Sequence, residues 1–182
     1  MIQQIIKITA VFSLIAMSSI ANAHHYDYYT GPRFGIGVSS TDFGSIDTDS
    51  GIKFEGGYDF NRIVGMTLSY EQSDYDSRDE ALDFETFKLG ADLGYAFQLT
   101  HSISMKPYVS VGFHHSKEDY YWCSKKHCYQ SSYSDTNTYY GIGLRLVAGP
   151  LYFDVSNEVL NYDIGHKNYK PEQVALTVGL KL

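Results

Sequence analysis

The sequence lacks a surplus of basic residues. Its formal net charge is −7 at pH 7 over 182 residues, whereas a nucleic-acid partner requires a basic patch that neutralises phosphates. The charge balance therefore argues against nucleic acid as a partner.

Long apolar runs are also lacking, and residues 24–182 contain no candidate for a membrane-spanning helix. Only helices and closed β-barrels satisfy every backbone polar group inside lipid. If residues 24–182 enter a membrane, we expect them to do so as a barrel.

The N-terminal segment resembles an export signal. Met1 to Lys7 carries one positive charge, Ile8 to Met17 is mostly apolar, and Ala21-Asn22-Ala23 is an A-x-A cleavage pattern. The alternative is a membrane anchor, but the apolar run falls short of the roughly 20 residues that a spanning helix needs. We predict a secretory signal peptide at 1–23 and one domain at 24–182.

Aromatic residues and glycine are abundant, while proline is scarce. The 17 tyrosines, 10 phenylalanines and 16 glycines, with only 4 prolines, favour short strands joined by turns. Apolar and polar residues alternate with period two, which predicts strands with two different faces. Eight such segments are present: Arg33 to Ser39, Ile52 to Phe60, Val64 to Glu71, Phe87 to Phe97, Met105 to His114, Tyr139 to Val147, Leu151 to Val159 and Gln173 to Leu182.

The two faces of these segments differ sharply. One face is apolar and uncharged, apart from the poorly fitting Gly56 and Asn157, where a bulge would re-aim the strand. The other combines many glycines with six basic and six acidic residues: Arg33, Lys53, Lys88, Lys106, Arg145, Lys181, Glu55, Asp59, Glu71, Asp92, Asp154 and Glu158.

This asymmetry predicts which face points inward. The lumen of an eight-stranded barrel is just wide enough for side chains to fill, and buried charges are tolerated when they are paired. We therefore predict an eight-stranded antiparallel up-and-down transmembrane β-barrel, with lumenal ion pairs among the twelve charged residues. The alternative is a soluble secreted barrel that binds an apolar ligand and exposes its charges to water.

The predicted connections alternate between long and short. The long ones are 41–50, 72–86, 115–138 and 160–172, and the short ones are 61–63, 98–104 and 148–150. Bacterial outer-membrane barrels have long extracellular loops and short periplasmic turns. Aromatic residues of the apolar face fall near both strand ends, as in the girdles of such barrels: Tyr58, Phe60, Tyr70, Phe87, Tyr95, Phe97, Phe113, Tyr140 and Phe153.

Three stretches resemble the family of small outer-membrane barrels. They are Gly51 to Phe60, Lys106 to Phe113 and Val174 to Leu182, and the family includes OmpA-type barrel domains, OmpX/Ail-type proteins and opacity-like surface proteins. The resemblance implies a Gram-negative outer-membrane location and contact with outer-membrane lipid and lipopolysaccharide. It also implies insertion by the barrel assembly machinery, although the family usually ends in Phe where this chain has Leu182.

The longest predicted loop carries the candidate interaction residues. Cys123 and Cys128 predict a disulfide, because an export signal implies an oxidising compartment. Around them lie aromatic residues of the type that anchors protein interfaces: Tyr120, Tyr121, Trp122, Tyr129 and Tyr133. The functional interpretation is a loop that binds a ligand on a host surface, another cell or a phage. The alternative is a loop that packs over the barrel mouth.

We expect a non-enzymatic structural or adhesion protein with no catalytic residues, cofactor or metal. One alternative is a lipid A-modifying enzyme, which would need a nucleophilic serine, a histidine and an acid close together. In this sequence His115-Ser116 beside Glu118 is the local group of that kind. A metal site would draw on His114, His115 and His127, whose spacing is not diagnostic.

Overall fold

The computed structural model describes residues 29–42, 49–77, 80–124, 127–164 and 167–182. The predicted signal peptide, 1–23, lies outside the described residues. Within these ranges, no helix has the length and apolar character needed to cross a membrane.

The described chain is built of antiparallel strands. Their bounds are β1 Gly31–Asp42, β2 Asp49–Asp59, β3 Val64–Ser77, β4 Glu80–Gly94, β5 Phe97–Thr100, β6 Ile103–Ser124, β7 His127–Ala148, β8 Leu151–Leu160, β9 Tyr162–Ile164, β10 Lys167–Tyr169 and β11 Glu172–Lys181.

Eight of these strands close into a barrel. The hydrogen-bonded order runs β4, β3, β2, β1, β11, β8, β7, β6, and β6 returns to pair with β4. Strand β5 adds a short pairing to the end of β6, and β9 and β10 form a separate small hairpin. The predicted fold class is confirmed, since each of the eight predicted segments contributes one barrel strand.

The inside of the barrel is polar and the outside is apolar. Arg33, Asp92 and Arg145 are at most 2% exposed, whereas Leu144 is 40% and Val178 43% exposed. A soluble barrel requires the reverse distribution, with apolar side chains in a dry centre. The exposed apolar positions form a belt that only lipid can cover favourably.

Aromatic side chains mark both edges of this belt. Tyr58 and Phe60 near one short turn contact each other with ring centroids 5.2 Å apart, and Tyr95 and Phe97 near another are 4.9 Å apart. At the opposite edge, Phe113 is 65% exposed. These rings occupy the two levels expected for interfacial girdles.

Two of the predicted long loops are wrong in their conformation. The stretches 72–86 and 115–138 are mostly strand, because β3 extends to Ser77 and β4 begins at Glu80, and β6 extends to Ser124 and β7 begins at His127. Their backbones remain paired from Glu71↔Thr86 to Ser77↔Glu80 and from His115↔Thr136 to Ser124↔His127. At positions 131–134 of β7 consecutive side chains are exposed, so the apolar–polar alternation that revealed the other strands fades there.

Smaller differences occur at the short turns. The predicted fourth strand, Phe87 to Phe97, ends at Gly94, and Phe97 starts β5, whose register shifts between Gln98 and Thr100. No bulge occurs at Gly56 or Asn157, since the register through both is continuous. Gly149 in the β7–β8 turn has φ +57°, a conformation that glycine adopts at little cost.

Candidate functional site

The predicted lumenal charges all lie inside the barrel and all have ionic partners. Arg33 on β1 contacts Asp59 and Asp92 at 3.0 Å each, and its Nε lies 3.6 Å from Glu55. Arg33 also donates to Thr67 Oγ1. One guanidinium therefore ties β1 to β2, β3 and β4 across the lumen.

A second guanidinium ties the other half of the wall to the same carboxylates. Arg145 on β7 lies 2.7 Å from Asp154, 2.9 Å from Asp92 and 3.3 Å from Asp59. Asp154 also accepts a 2.6 Å hydrogen bond from Tyr108. Because each carboxylate has several donors, this network meets the condition under which charges are tolerated in a protein interior.

Three lysines complete this network. Lys181 lies 2.6 Å from Asp59, Lys106 lies 2.8 Å from Asp92, and Lys53 lies 3.2 Å from Glu55. The connected set has nine members, of which five are cationic and four anionic.

The remaining three charges form a separate group. Lys88 contacts Glu71 and Glu158 at 2.6 Å each and Gln173 at 2.5 Å. Gln173 in turn donates to Thr41 at 2.9 Å. The six-to-six balance seen in the sequence is thus divided unequally, with one extra positive charge in the nine-membered network and one extra negative charge around Lys88.

Tyrosines of the lumen pack onto glycines of the neighbouring wall. A Cβ added at Gly90 would lie 2.9 Å from Cζ of Tyr139, and one at Gly179 would lie 2.5 Å from Cε1 of Tyr152. Sequence reasoning missed Tyr108, Tyr139 and Tyr152 as lumenal groups. The signal was available, because Tyr108 has the same strand parity as Lys106, and Tyr152 the same as Asp154.

A polar cluster lies at the long-loop end of the lumen. His114 Nδ1 is 3.1 Å from Ser116 Oγ, and His114 Nε2 is 2.8 Å from the Asn161 carbonyl oxygen. Ser116 Oγ is 2.8 Å from the Tyr162 hydroxyl and 3.1 Å from Thr86 Oγ1.

This cluster separates His115 from Ser116, the two residues that the enzyme alternative would pair. Ser116 contacts His114, two residues away on the same strand face, and His115 lies on the opposite, exposed face within 2.7 Å of Thr136 Oγ1. The side chain of Glu118 lies outside those described. Ser116 is 2% and His114 1% exposed, so this pair offers no surface to a substrate.

Two small cavities lie within the described part of the lumen. They measure about 10 Å³ each, one beside Ser110 and Tyr139 and one beside Asp59 and Lys181. Such a volume holds about one water molecule. Among the described residues, no group of histidine, cysteine and carboxylate side chains is arranged to hold a metal ion.

The predicted interaction residues lie on the β6–β7 hairpin. The backbone register places Cys123 opposite Cys128, Trp122 opposite Tyr129 and Glu118 opposite Tyr133. Tyr120 and Trp122 are in phase with Ser116, whose side chain faces inward, and Tyr121 has the other phase. Tyr133 is 39% exposed, and the other four aromatic side chains lie outside those described.

These features define a class of protein. A closed eight-stranded barrel with an apolar belt, aromatic girdles and a sealed ionic interior is the architecture of small bacterial outer-membrane barrels. The chain belongs to the outer membrane protein beta-barrel domain family, whose model matches residues 8–181. This membership confirms the resemblance noted in the sequence and places the protein in the outer membrane.

Solved structures share this fold at low sequence identity. Ail, the attachment invasion locus protein of Yersinia pestis, in complex with the heparin analogue sucrose octasulfate, has a TM-score of 0.59 and 22% identity over 84% of this chain and 99% of that chain. The N-terminal β-barrel domain of Pseudomonas aeruginosa OprF has a TM-score of 0.56 and 19% identity over 84% of this chain and 99% of that chain. Neisserial surface protein A has a TM-score of 0.56 and 12% identity over 84% of this chain and 96% of that chain. No curated protein matches the chain significantly.

Proposed function

We propose that this chain is a non-enzymatic surface protein of the Gram-negative outer membrane that binds a protein partner on a host, a cell or a phage through the β6–β7 hairpin. In this proposal residues 1–23 are removed on export, and the barrel assembly machinery inserts the barrel among lipid and lipopolysaccharide. The lumenal ion pairs have a structural role.

The observation that carries the proposal is the length of β6 and β7. Each strand has 22 residues, whereas a tilted strand needs about 9–11 residues to cross the bilayer. From His115 to Ser124 the hairpin extends about 30 Å along its strands, at about 3.3 Å per residue. Backbone pairing of β6 with β7 and with β4 continues along this arm, which extends beyond the bilayer surface.

The composition of the arm fits protein recognition. Its outer strand reads Tyr129-Gln-Ser-Ser-Tyr133-Ser-Asp-Thr-Asn-Thr138, and Ser131, Ser132, Tyr133 and Ser134 are exposed. Tyrosine supplies large contact area at low entropic cost, and serine and asparagine supply adaptable hydrogen bonds, as in antibody paratopes. The backbone register also places Tyr120, Trp122, Tyr129 and Tyr133 on the same face of the hairpin.

The charge of the arm favours a protein over a sulfated glycan. Residues 115–138 contain Lys117, Lys125 and Lys126 against Glu118, Asp119 and Asp135. Hydrogen bonds from Lys117 and Ser132 lower the pKa of Asp119, which keeps this carboxylate charged. Ail was crystallised with a heparin analogue, but this arm has no basic surplus with which to hold a polyanion.

A disulfide between Cys123 and Cys128 is part of the proposal. The two residues are cross-strand partners near the tip, and the outer surface is an oxidising environment. The bond would hold together the end of the hairpin that lies farthest from the barrel.

Adherence of bacteria that express the protein tests the proposal. Cells that carry the full chain are applied to a cultured epithelial monolayer and, separately, allowed to settle to measure self-aggregation. We expect adherence or aggregation above that of vector-only cells, and its loss in Trp122→Ala and Tyr133→Ser. Tyr169→Ser is the matched control, because Tyr169 is 46% exposed on β10, which is not one of the two strands of the arm.

Three results would contradict the proposal. The first is equal adherence and aggregation of expressing and vector-only cells. The second is a loss of binding in the control variant Tyr169→Ser as complete as that in Tyr133→Ser. Inhibition of adherence by added sucrose octasulfate would indicate that the ligand is sulfated and is not a protein. Mass spectrometry of lipid A with and without the protein tests the enzyme alternative, and we expect identical spectra.

A further inference from the structure

The chain segment that follows β8 packs against the long-loop end of the lumen. Leu160 is fully buried and Tyr162 is 3% exposed, and both pack with Phe84 and Tyr139 in one buried cluster. Asn161 is held to β7 by a 3.1 Å hydrogen bond from its backbone N–H to the Thr138 carbonyl.

Two polar contacts join this segment to β6. His114 Nε2 lies 2.8 Å from the Asn161 carbonyl oxygen, and Ser116 Oγ lies 2.8 Å from the Tyr162 hydroxyl. We propose that Asn161 and Tyr162 form a lid that His114 latches over the lumen, and that the lid is released when His114 takes up a second proton.

The hydrogen-bond partners fix the state of the closed latch. A carbonyl oxygen only accepts, so His114 Nε2 carries the hydrogen, and Nδ1 of the neutral ring is an acceptor. Ser116 therefore donates its single hydrogen to His114 Nδ1, 3.1 Å away. Its oxygen accepts from Tyr162 at 2.8 Å and from Thr86 at 3.1 Å.

A second proton disturbs this arrangement. Nδ1–H becomes a donor toward Ser116, which then has to donate to either Tyr162 or Thr86. Whichever hydroxyl receives that hydrogen has to turn its own hydrogen away from Ser116. The charge also lies on a ring that is 1% exposed, and burying a charge is costly.

The charged neighbours of His114 come from three strands. On β4, Lys88 is its direct cross-strand partner, so protonation would place two cations opposite each other. Glu71 and Glu158 already contact the Lys88 ammonium. On β7, Asp135 attracts the protonated ring, and on β6 itself His115 repels it when charged. Tyr162 on β9 contributes a ring whose centroid is 4.8 Å away.

The Nε2–H bond to the Asn161 carbonyl favours the charged ring, but burial disfavours it more strongly, so proton binding is easier with the lid open, where water reaches the imidazole. A state that binds protons more readily gains population as the pH falls. An open lid would expose the group around Lys88 to the exterior. The nine-membered network below it would remain closed, so the release does not create a pore.

Thiol labelling tests the latch in the full chain embedded in lipid nanodiscs. In a background with Cys123→Ser and Cys128→Ser, Thr86→Cys places a thiol at a fully buried position beside Ser116. Ser131→Cys is the exposed control, and both thiols are labelled with a small methanethiosulfonate. Dividing the labelling rate of Thr86→Cys by that of Ser131→Cys cancels the pH dependence of thiol reactivity. We expect this ratio to rise by up to about tenfold per pH unit below about pH 6.5.

Substitution of His114 separates the latch from a general effect of acid. His114→Gln keeps one donor and one acceptor but does not titrate, so the ratio should stay low at every pH. His114→Ala should give a high ratio throughout. A flat ratio with His114 present, or an acid-dependent rise that persists in His114→Gln, would overturn the proposal.

Hydrogen exchange provides a second measurement on the unsubstituted chain. The protection factor of the Asn161 amide, corrected for intrinsic exchange, should fall on acidification, while that of Val155 within β8 should not. Equal protection of Asn161 at neutral and acid pH would contradict release of the lid.

Discussion

Arg145 on β7 and Asp154 on β8 are direct cross-strand partners, and their side chains meet inside the barrel at 2.7 Å. The pair lies where β7 and β8 leave their short connecting turn, and Asp154 also accepts from Tyr108. The contact thus joins a local hairpin to the network that crosses the lumen.

Removal of one member of this pair should destabilise the barrel strongly. Arg145→Met leaves the buried Asp154 without its ionic partner, and breaking a buried pair costs about 3–5 kcal/mol. Equilibrium unfolding in detergent micelles measures the effect. With Asp154→Asn as the second substitution, the double variant should lose less stability than the sum of the single variants, by about 0.5–3 kcal/mol. Additive losses would contradict direct coupling.

A charge on the apolar belt should be costly only within the bilayer. Leu144 is 40% exposed and lies near the middle of Tyr139 to Val147, the part of β7 with alternating apolar residues, and Leu144→Lys should reduce the unfolding free energy by about 2–4 kcal/mol in lipid. Ser134→Lys is the control, since Ser134 has the same phase on β7 but lies on the protruding arm. It should leave both stability and the heat-dependent gel mobility shift unchanged. Equal effects of the two lysines would contradict the assigned belt.

Glycines under the lumenal tyrosines should not tolerate even a methyl group. A Cβ at Gly90 would lie 2.9 Å from both Tyr139 Cζ and the Val111 carbonyl oxygen, and overpacking of this kind costs about 1–3 kcal/mol. Gly56 is the matched control, because the nearest atoms to an added Cβ are those of the Phe34 ring at 3.8 and 3.9 Å. Gly56→Ala should be neutral or slightly stabilising. Thermal unfolding of both variants in the same detergent makes the comparison.

The proposed disulfide should be detectable without a structure. Protein isolated from outer membranes and alkylated without reduction should carry no label on Cys123 or Cys128, and reduction should make both reactive. Loss of the bond should lower the stability of the hairpin tip by on the order of 2 kcal/mol. The barrel should be unaffected, and protease cleavage between residues 115 and 138 should accelerate. Labelling of both thiols before reduction would disprove the bond.

The sequence predicted the barrel strands because lipid and lumen impose opposite demands on alternate residues. Val174, Leu176 and Val178 are exposed, while Gln173, Ala175 and Thr177 are buried, which is the period-two pattern itself. The protruding strands lacked this signal, since residues such as Ser131 and Ser132 meet water on consecutive positions. The extended conformation of β7 in this region depends on pairing with β6, and the sequence does not specify that partner directly.

The pattern of residues alone determined which twelve charges face inward, because parity along a strand fixes the face of each side chain. It did not determine which charge meets which. Arg33 and Asp92 are 59 positions apart in the chain, and their contact depends on closure of the sheet and on the stagger between its strands. The separation into nine-membered and three-membered groups, and the placement of His114 against Asn161, were likewise decided by the tertiary structure. Only the folded barrel brings side chains from distant strands into one narrow lumen.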